Sequence, residues 1–355
     1  MKKPKLIAII SPFENDKTGR GSRNVDLYQL LKIKHIDVKY ITSNFDHAKK
    51  TTHKEKTIGI NLTIPEYKKN LSFKRVYSNI VFSIKLIKVL RKIKPTLIFI
   101  SSIPPETLFV ASLLSKKIIL DVRDIWPDAV YAYENRSLLK ILFSIYCKVI
   151  YLISRSSVRK VTYVARTFKP WIDRYYKNKE SIFIPLGTDR LNHLTEQQPI
   201  TKLYDCAYAG GITPQFPLQE FSLLFKDSSI ALMGSGPDLQ KTLSCFNNVT
   251  YLGIVDKSTA QNTLCLSKYL LFPSNRYAAL PNKAFDYYQC PSDIIFGPEI
   301  SDDIKILFKN IETFQNNFFI SRYLTRPQLD DLYLRNKSIE TLADIIIKEL
   351  MENDH

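Results

Sequence analysis

Short apolar segments alternate along the chain with longer amphipathic segments and polar turns. The apolar, β-branched segments 5–10, 37–42 and 97–101 predict strands. Segments 23–34 and 79–94 carry apolar residues three or four positions apart, which predicts helices. This alternation is typical of doubly wound α/β domains, in which helices connect parallel strands.

The same pattern continues to the end of the chain. We interpret the apolar helix predicted at 137–154 as part of the core rather than as an interfacial helix. The remaining predicted helices are 106–114, 219–225, 259–266, 282–289 and 338–351. The remaining predicted strands are 117–122, 160–164, 182–185, 204–209, 229–233, 249–252, 269–273 and 294–296.

A polar segment, 190–202, separates two such α/β alternations and is the predicted linker. We therefore predict a first domain at 1–190, a second at 191–334, and a terminal helix at about 335–355 that packs back on the first domain. Ligands of open α/β sheets bind beyond the carboxyl ends of the strands. The predicted site is therefore a cleft between the two domains.

The charge of the chain is unevenly distributed. The 355 residues carry a net charge of +17, with +22 in residues 1–190 and −5 in the remainder. A cationic half attracts an anionic membrane surface or a nucleic acid, although a lysine-rich solvated surface would have the same charge. Nucleic acid is the weaker alternative, because no nucleic-acid-binding motif is present and the aromatic residues lie mostly within apolar segments.

Several protein classes do not fit the sequence. No segment is long and apolar enough for a membrane span, and residues 6–10 are too short for the apolar part of an export signal. The five cysteines are an odd number without CxxC spacing, which favours reduced thiols over a disulfide framework or a zinc site. We therefore expect a cytoplasmic protein.

Glycines follow three consecutive predicted strands of the second domain, at Gly210-Gly211, at Gly234 with Gly236, and at Gly253. Glycine at a strand end allows backbone N–H groups to approach a phosphate, although it also simply forms turns. Further along, Lys283 and Asp286 lie three positions apart at the start of a predicted helix. They would present a cation to a diphosphate and a carboxylate to a sugar hydroxyl, or would form an ordinary surface pair.

These segments together resemble the retaining GT-B glycosyltransferases of the family-4 group, and they are most similar to members that build bacterial O-antigen, capsule or exopolysaccharide. The resemblance covers nearly the whole chain. The motifs that carry it are DVRDIWPD (121–128), IPLGTD (184–189), YAGG (208–211), MGSGP (233–237), TYLGIV (250–255) and LPNKAFDYY (280–288).

The resemblance implies two Rossmann-like domains and a site shared between them. The catalytic residues that it implies are Asp121, Asp124 and Lys283. The donor-binding residues that it implies are Gly210, Gly211, Gly234, Gly236, Val255, Arg276, Asn282, Lys283 and Asp286. The acceptor-binding residues that it implies are Gly19, Arg20, Gly21 and Arg123.

The resemblance also implies the reaction and its setting. A nucleotide-sugar would donate its sugar, with retention, to a glycan or a polyprenyl-diphosphate-linked acceptor in bacterial surface polysaccharide synthesis. No cofactor and no metal are expected, since the leaving diphosphate takes the acceptor proton and the chain contains no Asp-x-Asp pair. The protein would lie at the inner face of the membrane, where the basic segment 85–94 would hold it in a salt-sensitive manner.

Two departures from the family pattern favour an alternative function. Ala278 stands where the family usually has a carboxylate, and the segment 212–215 lacks the two cations that usually grip the diphosphate. A non-catalytic GT-B partner, which binds an acceptor or stabilises an active transferase, is therefore the second hypothesis. Turnover of a donor by the purified chain would distinguish the two.

Overall fold

A computed structural model describes residues 5–17, 23–47, 49–68, 72–131, 138–189, 201–274 and 280–352. The first half contains the strands β1 (Ile7–Ser11), β2 (Val38–Ser43), β3 (Phe45–Asp46), β4 (Thr51–Thr52), β5 (Ile60–Leu62), β6 (Leu97–Ser101), β7 (Ile118–Val122), β8 (Val158–Tyr163) and β9 (Glu180–Phe183). Its helices are α1 (Arg23–Ile33), α2 (Phe73–Ile93), α3 (Pro105–Leu114), α4 (Asp128–Tyr131), α5 (Leu138–Ser154) and α6 (Lys169–Tyr176).

The second half repeats the arrangement. Its strands are β10 (Tyr204–Ala209), β11 (Ser229–Met233), β12 (Asn248–Gly253), β13 (Ser267–Phe272), β14 (Asp293–Phe296), β15 (Glu312–Thr313) and β16 (Phe319–Ser321). Its helices are α7 (Ser222–Phe225), α8 (Leu239–Leu243), α9 (Lys257–Cys265), α10 (Asn282–Tyr288), α11 (Asp302–Phe308) and α12 (Arg335–Met351).

Each half is built on a twisted sheet with helices on both faces. The first sheet has the strand order β5-β2-β1-β6-β7-β8-β9 and is parallel throughout. The second has the order β12-β11-β10-β13-β14-β16-β15, in which β16 and β15 pair antiparallel at one edge. The prediction of two Rossmann-like domains is therefore confirmed. The exact domain boundaries stay a prediction, because the segment 190–200 lies outside the described residues.

The terminal helix α12 belongs structurally to the first half. Its buried face, which includes Leu342 and Ile346, packs in one apolar cluster with Leu31 of α1 and Ile7 of β1. The prediction that the terminal helix returns to the first domain is confirmed. Where the chain crosses between the halves, two segments run side by side: the N–H of Thr188 donates to Tyr333 O at 3.0 Å, and the N–H of Arg335 donates to Thr188 O at 2.9 Å.

Helix α2 begins six residues earlier than the apolar periodicity predicts. Ser72 caps it, and its hydroxyl accepts the N–H of Arg75 at 3.3 Å. At its other end Lys94 adopts a left-handed conformation, with φ of 46°, and Pro95 follows. The helix is therefore long enough to carry an apolar first half and a basic second half on its exposed side.

Candidate active site

The carboxyl ends of β10, β11 and β12 are packed against one another through glycines. The N–H of Gly210 donates to Met233 O at 3.1 Å, and the N–H of Gly234 donates to Gly253 O at 2.7 Å. A Cβ atom at Gly234 would lie 1.8 Å from Gly210 O, so no larger residue fits there without moving the backbone. Both N–H groups are thus used within the fold, which corrects the prediction that they are available to a phosphate.

The other predicted donor-site positions surround this packed edge. Gly236 is also a close-packed position, since a Cβ atom there would lie 1.9 Å from Ile212 O. Val255 is half-buried against the core. Gly211 and Asn282 are exposed, and they are the positions of this set that present atoms freely to solvent.

Lys283, in the first turn of α10, points into a cluster of aromatic rings. Its Nζ lies 3.6 Å from the ring centroid of Phe216 and 5.0 Å from that of Phe272, and it donates to Tyr208 OH at 3.3 Å. Burial lowers the pKa of Lys283 to about 7, and no charged group among the described residues offsets this. The ammonium is therefore available to an anion that would neutralise it.

Asp286 faces a different environment from Lys283, although both residues lie in α10. Burial raises the pKa of the Asp286 carboxyl, Lys257 and Arg335 partly offset this, and Asp189 adds to it. The main-chain oxygen of Asp286 accepts a hydrogen bond from Gln261 Nε2 at 3.3 Å. The two side chains of the predicted pair do not form an ion pair with each other. The interpretation of Lys283 and Asp286 as an ordinary surface ion pair is therefore wrong.

Asp121 is fully buried at the end of β7. Its Oδ1 lies 3.3 Å from Arg23 Nη2 and accepts a hydrogen bond from Thr162 Oγ1 at 2.6 Å. Arg23 also donates to the main-chain oxygens of Ile184 and Pro185, at 3.0 and 2.8 Å. The expectation that Asp121 lines the cleft needs correction, because the carboxylate lies behind the surface and holds the strand ends in place.

Arg123 directly follows β7 and pairs with a carboxylate from the segment after β1. Its Nη1 lies 2.5 Å from Glu14 Oε1, and both side chains are partly buried. The main-chain oxygen of Glu14 accepts hydrogen bonds from Tyr40 OH at 2.8 Å and Thr42 Oγ1 at 2.7 Å. The loop after β1 is thus anchored to β2, and it positions the guanidinium of Arg123.

Asp124 is half-buried next to Arg123. Burial raises the pKa of its carboxyl, while the N–H of Ile125, which donates to Oδ1 at 2.9 Å, the Trp126 side chain and the charge of Arg75 lower it. The Arg75 guanidinium lies 4.7 Å from the ring centroid of Trp126. A carboxyl with a perturbed pKa at a strand end is a candidate for proton transfer.

The carboxyl ends of the two sheets face each other across the gap between the halves. Asp303, in α11, accepts the N–H groups of Arg166 and Thr167, which follow β8, at 2.9 and 3.0 Å. Gln289, after α10, donates to Thr188 Oγ1 at 2.8 Å. Residues after β8 and β9 therefore contact residues after β14 and α10, as the predicted cleft requires.

Arg335, the first residue of α12, links the two sides of the gap. Its Nη1 lies 3.3 Å from Asp26 Oδ2, its Nε lies 3.9 Å from Asp189 Oδ1, and its charge also acts on Asp286. A cavity of about 380 Å³ lies beside it on the first half, lined by residues of α1 and α12 and by Asp189. Arg335 is thus a cation whose charge acts on carboxylates of both halves.

Several residues of this arrangement were not predicted from the sequence, and some predicted residues lie outside the part of the chain that the structure describes. Gly19, Arg20, Gly21 and Arg276 lie outside the described residues, as does Ala278. The missed residues are Glu14, Arg23, Lys257 and Arg335. One signal was available for Arg23: a cation at a helix N-terminus opposes the helix dipole and so suggests a specific carboxylate partner.

Solved structures of other proteins have the same arrangement of two α/β halves. A glycosyltransferase from Rickettsia africae superposes with a TM-score of 0.60 at 11% identity, over 99% of this chain and 100% of that one. Anabaena HepE, solved with UDP and glucose, superposes with a TM-score of 0.56 at 11% identity, over 97% and 92% of the two chains. The chain has the GT-B fold.

A further solved structure has the same fold. A sucrose-phosphate synthase from Thermosynechococcus elongatus superposes with a TM-score of 0.55 at 14% identity, over 82% of this chain and 80% of that one. No protein-family model matches the sequence. No curated protein matches it either. The structural likeness thus concerns the whole GT-B chain rather than one of its domains.

Proposed function

We propose that the protein is a glycosyltransferase that moves a sugar from a nucleotide-sugar donor to a hydroxyl group of a lipid-linked or glycan acceptor. The observation that carries the proposal is the start of α10, where an unneutralised Lys283 and a half-buried Asp286 lie at the edge of a GT-B cleft. The structural neighbours support it, since one is a glycosyltransferase and another holds UDP and glucose.

In the proposed reaction, the bond between the anomeric carbon and the diphosphate oxygen breaks, and the acceptor hydroxyl attacks on the same face. The departing diphosphate takes the hydroxyl proton, which gives retention without a protein nucleophile. Lys283 neutralises charge on the diphosphate, and Asp286 accepts a hydrogen bond from a sugar hydroxyl of the nucleotide. Arg123 and Asp124 contact the acceptor, and the reaction requires no metal ion and no cofactor.

We place this activity in bacterial surface polysaccharide synthesis, with the protein at the inner face of the cytoplasmic membrane. The net charge of +22 in residues 1–190 supports this setting, because a cationic half is attracted to an anionic leaflet. A polyprenyl-diphosphate acceptor would be available at that surface.

Thermal shift with a panel of UDP-, GDP- and TDP-sugars tests the donor site. A ligand at 100 times its Kd stabilises the folded state by about 2.7 kcal/mol, so one nucleotide class should raise the melting temperature by several degrees. Donor hydrolysis with and without EDTA tests the metal-independent chemistry. If no nucleotide shifts the melting temperature, the donor site is disproved, and strict metal dependence would overturn the mechanism.

The second candidate is a non-catalytic partner of a transferase. It is favoured by the lack of cations in 212–215 and by the internal use of the Gly210 and Gly234 N–H groups. Both hypotheses allow nucleotide binding, but only the first predicts that the purified chain releases the sugar. Binding of a nucleotide-sugar without hydrolysis or transfer, with a panel of acceptors present, would favour the partner.

A further inference from the structure

Helix α5 turns most of its large apolar residues outward. Its buried side consists of Ser144, Cys147, Ile150, Tyr151 and Ser154. The exposed side carries Ile145 and Leu152, whose exposed fractions are 53% and 57%. The remaining exposed apolar residues of the helix are Leu138, Ile141, Leu142, Tyr146, Val149 and Ile153. A helix at a water-exposed surface normally presents polar residues outward, so the interpretation of α5 as a core helix holds only for its inner side.

The neighbouring helices extend this apolar surface. Helix α2 exposes Phe73, Tyr77, Ile80 and Ile84, and α3 exposes Leu113 and Leu114 at its end. Of the 25 large hydrophobic residues that are exposed among the described residues, 14 lie on α2, α3 and α5. We call this surface the α2–α3–α5 face. Its apolar residues are grouped rather than scattered, which marks an interaction surface.

A groove runs through the middle of the α2–α3–α5 face. It has a volume of about 360 Å³, with walls from α2 (Ile80, Ile84) and α5 (Val149, Ile153) and with Phe109 of α3 among its lining residues. At roughly 30 Å³ per water-sized group, this space holds about a dozen such groups. The lining residues are apolar except for Ser83, Glu106 and Tyr146, and burial raises the pKa of the Glu106 carboxyl, so a hydrocarbon chain suits the groove better than water does.

The charges around the α2–α3–α5 face have one sign. The three helices contain eight basic residues and one acidic residue, and that acidic residue, Glu106, is buried. Exposed Lys85 and Lys88 follow Ile84 on α2, and exposed Lys148 lies within the apolar side of α5. An apolar centre flanked by lysine and arginine complements an anionic lipid surface, and it would not suit contact with a second, equally basic copy.

We propose that the α2–α3–α5 face docks on an anionic lipid bilayer, with α5 lying in the interface and a hydrocarbon chain of a bilayer lipid filling the groove. None of the helices that the structure describes is long and apolar enough to cross a membrane. The inference deepens the membrane partner of the proposed function, but it does not require glycosyl transfer. The basic segment 85–94 then supplies only part of the binding, and α5 supplies the rest.

Sedimentation with vesicles that contain about 30% phosphatidylglycerol tests the proposal. The double variant Ile145→Glu with Leu152→Glu should lose about tenfold or more in binding, since it places charge in the middle of the apolar face. Leu324→Glu, at a more accessible apolar position of the second half (93% exposed), is the control and should stay within about twofold. Because all three sites are exposed, circular dichroism melting should be unchanged.

Salt separates the apolar contribution from the electrostatic one. At about 0.5 M NaCl the wild-type protein should retain measurable binding, because screening weakens charge attraction but not apolar insertion. Complete release would reduce the interaction to the basic segment and would overturn the role of α5. Equal binding of the double variant and the wild type would overturn the proposal, as would no binding by the wild type at low salt.

A reporter inside the groove tests the hydrocarbon chain. Ile84→Trp places an indole on the groove wall, and vesicles with brominated acyl chains should quench it more than they quench Leu223→Trp of the second half. Equal quenching would disprove chain entry.

Light scattering without lipid tests whether the α2–α3–α5 face instead binds a second copy of the chain. A wild-type dimer that the double variant abolishes would assign the face to self-association and would overturn the proposal. Nucleotide thermal shift on the same samples measures the donor site separately. A loss of lipid binding can therefore be distinguished from a loss of nucleotide binding.

Discussion

The two halves have the same architecture, but a buried arginine of the first and a half-buried lysine of the second have different partners. In the first half, Arg23 is paired with Asp121, and Arg123 is paired with Glu14. In the second half, Lys283 lies among aromatic rings, without a carboxylate partner among the described residues. A cation that is already paired holds the fold together, whereas an unpaired cation is available to a ligand. The comparison therefore assigns a scaffold role to the buried Arg23 and a ligand-binding role to Lys283.

The largest effect is expected from breaking the first-half pair. Arg23→Met leaves Asp121 buried without its cation, which typically costs about 3–5 kcal/mol of unfolding free energy. Urea unfolding measures it. Arg174→Met is the matched control, because Arg174 pairs with Asp128 at 3.1 Å on the surface and should cost less than about 1 kcal/mol. Similar values for the two variants would contradict the scaffold role of Arg23.

The opposite pattern is expected at Lys283. Lys283→Met should weaken nucleotide-sugar binding by about 100-fold, yet raise the melting temperature, since no cation then has to be desolvated on folding. Lys268→Met is the control, because Lys268 is exposed and its Nζ lies 5.0 Å from the ring centroid of Tyr269. Calorimetric titration and thermal melting measure the two effects. A variant that binds normally would remove Lys283 from the donor site.

A pH titration sharpens the same contrast. With a pKa of about 7, Lys283 is mostly neutral in the free protein above that pH, so binding of a diphosphate takes up a proton. Affinity for a nucleotide-sugar should fall with rising pH above 7, approaching about tenfold per unit, and level off below it. Lys283→Arg should flatten the profile because arginine stays protonated. A flat wild-type profile would show that Lys283 remains charged without ligand.

The smallest effect is expected at Asp286. Asp286→Asn keeps the shape of the side chain but removes its charge, so a hydrogen bond to a sugar hydroxyl would be weakened rather than lost. We expect donor affinity to fall by about tenfold, which corresponds to about 1.4 kcal/mol. Asp302→Asn, an exposed position of α11, should have no effect. A loss as large as that of Lys283→Met would mean that the carboxylate charge itself is needed.

Sequence reasoning predicted the fold well where local signals decide it. The strands at 97–101, 204–209 and 229–233 have the predicted bounds, because short apolar segments between turns are seldom anything else. The antiparallel edge formed by β15 and β16 was missed, since strands of two or three residues in a polar segment carry no periodicity. Helix α11 was not predicted either, because a helix of seven residues is too short to show a clear apolar periodicity.

The site was predicted less completely, because it depends on contacts between distant residues. The pair of Arg23 and Asp121 joins residues 98 positions apart, which no local pattern reveals. The sequence pattern singled out Lys283 and Asp286, but their spacing could not show that Lys283 points into an aromatic cluster while Asp286 feels the charge of Arg335. The outward orientation of the apolar side of α5 was not predicted, because the sequence of an amphipathic helix is the same whether its apolar side faces the core or the solvent.

The parallel crossing at Thr188 and Leu334 has a consequence for how the cleft opens. The chain passes between the halves just after Thr188 and again at Leu334, and Gly187 is confined at this bridge, since a Cβ atom would lie 2.8 Å from Arg335 N. A rotation of one half against the other is therefore expected to pivot here. The bonds that Asp303 accepts from Arg166 and Thr167 also join the halves, so a rotation that separates these residues has to break them.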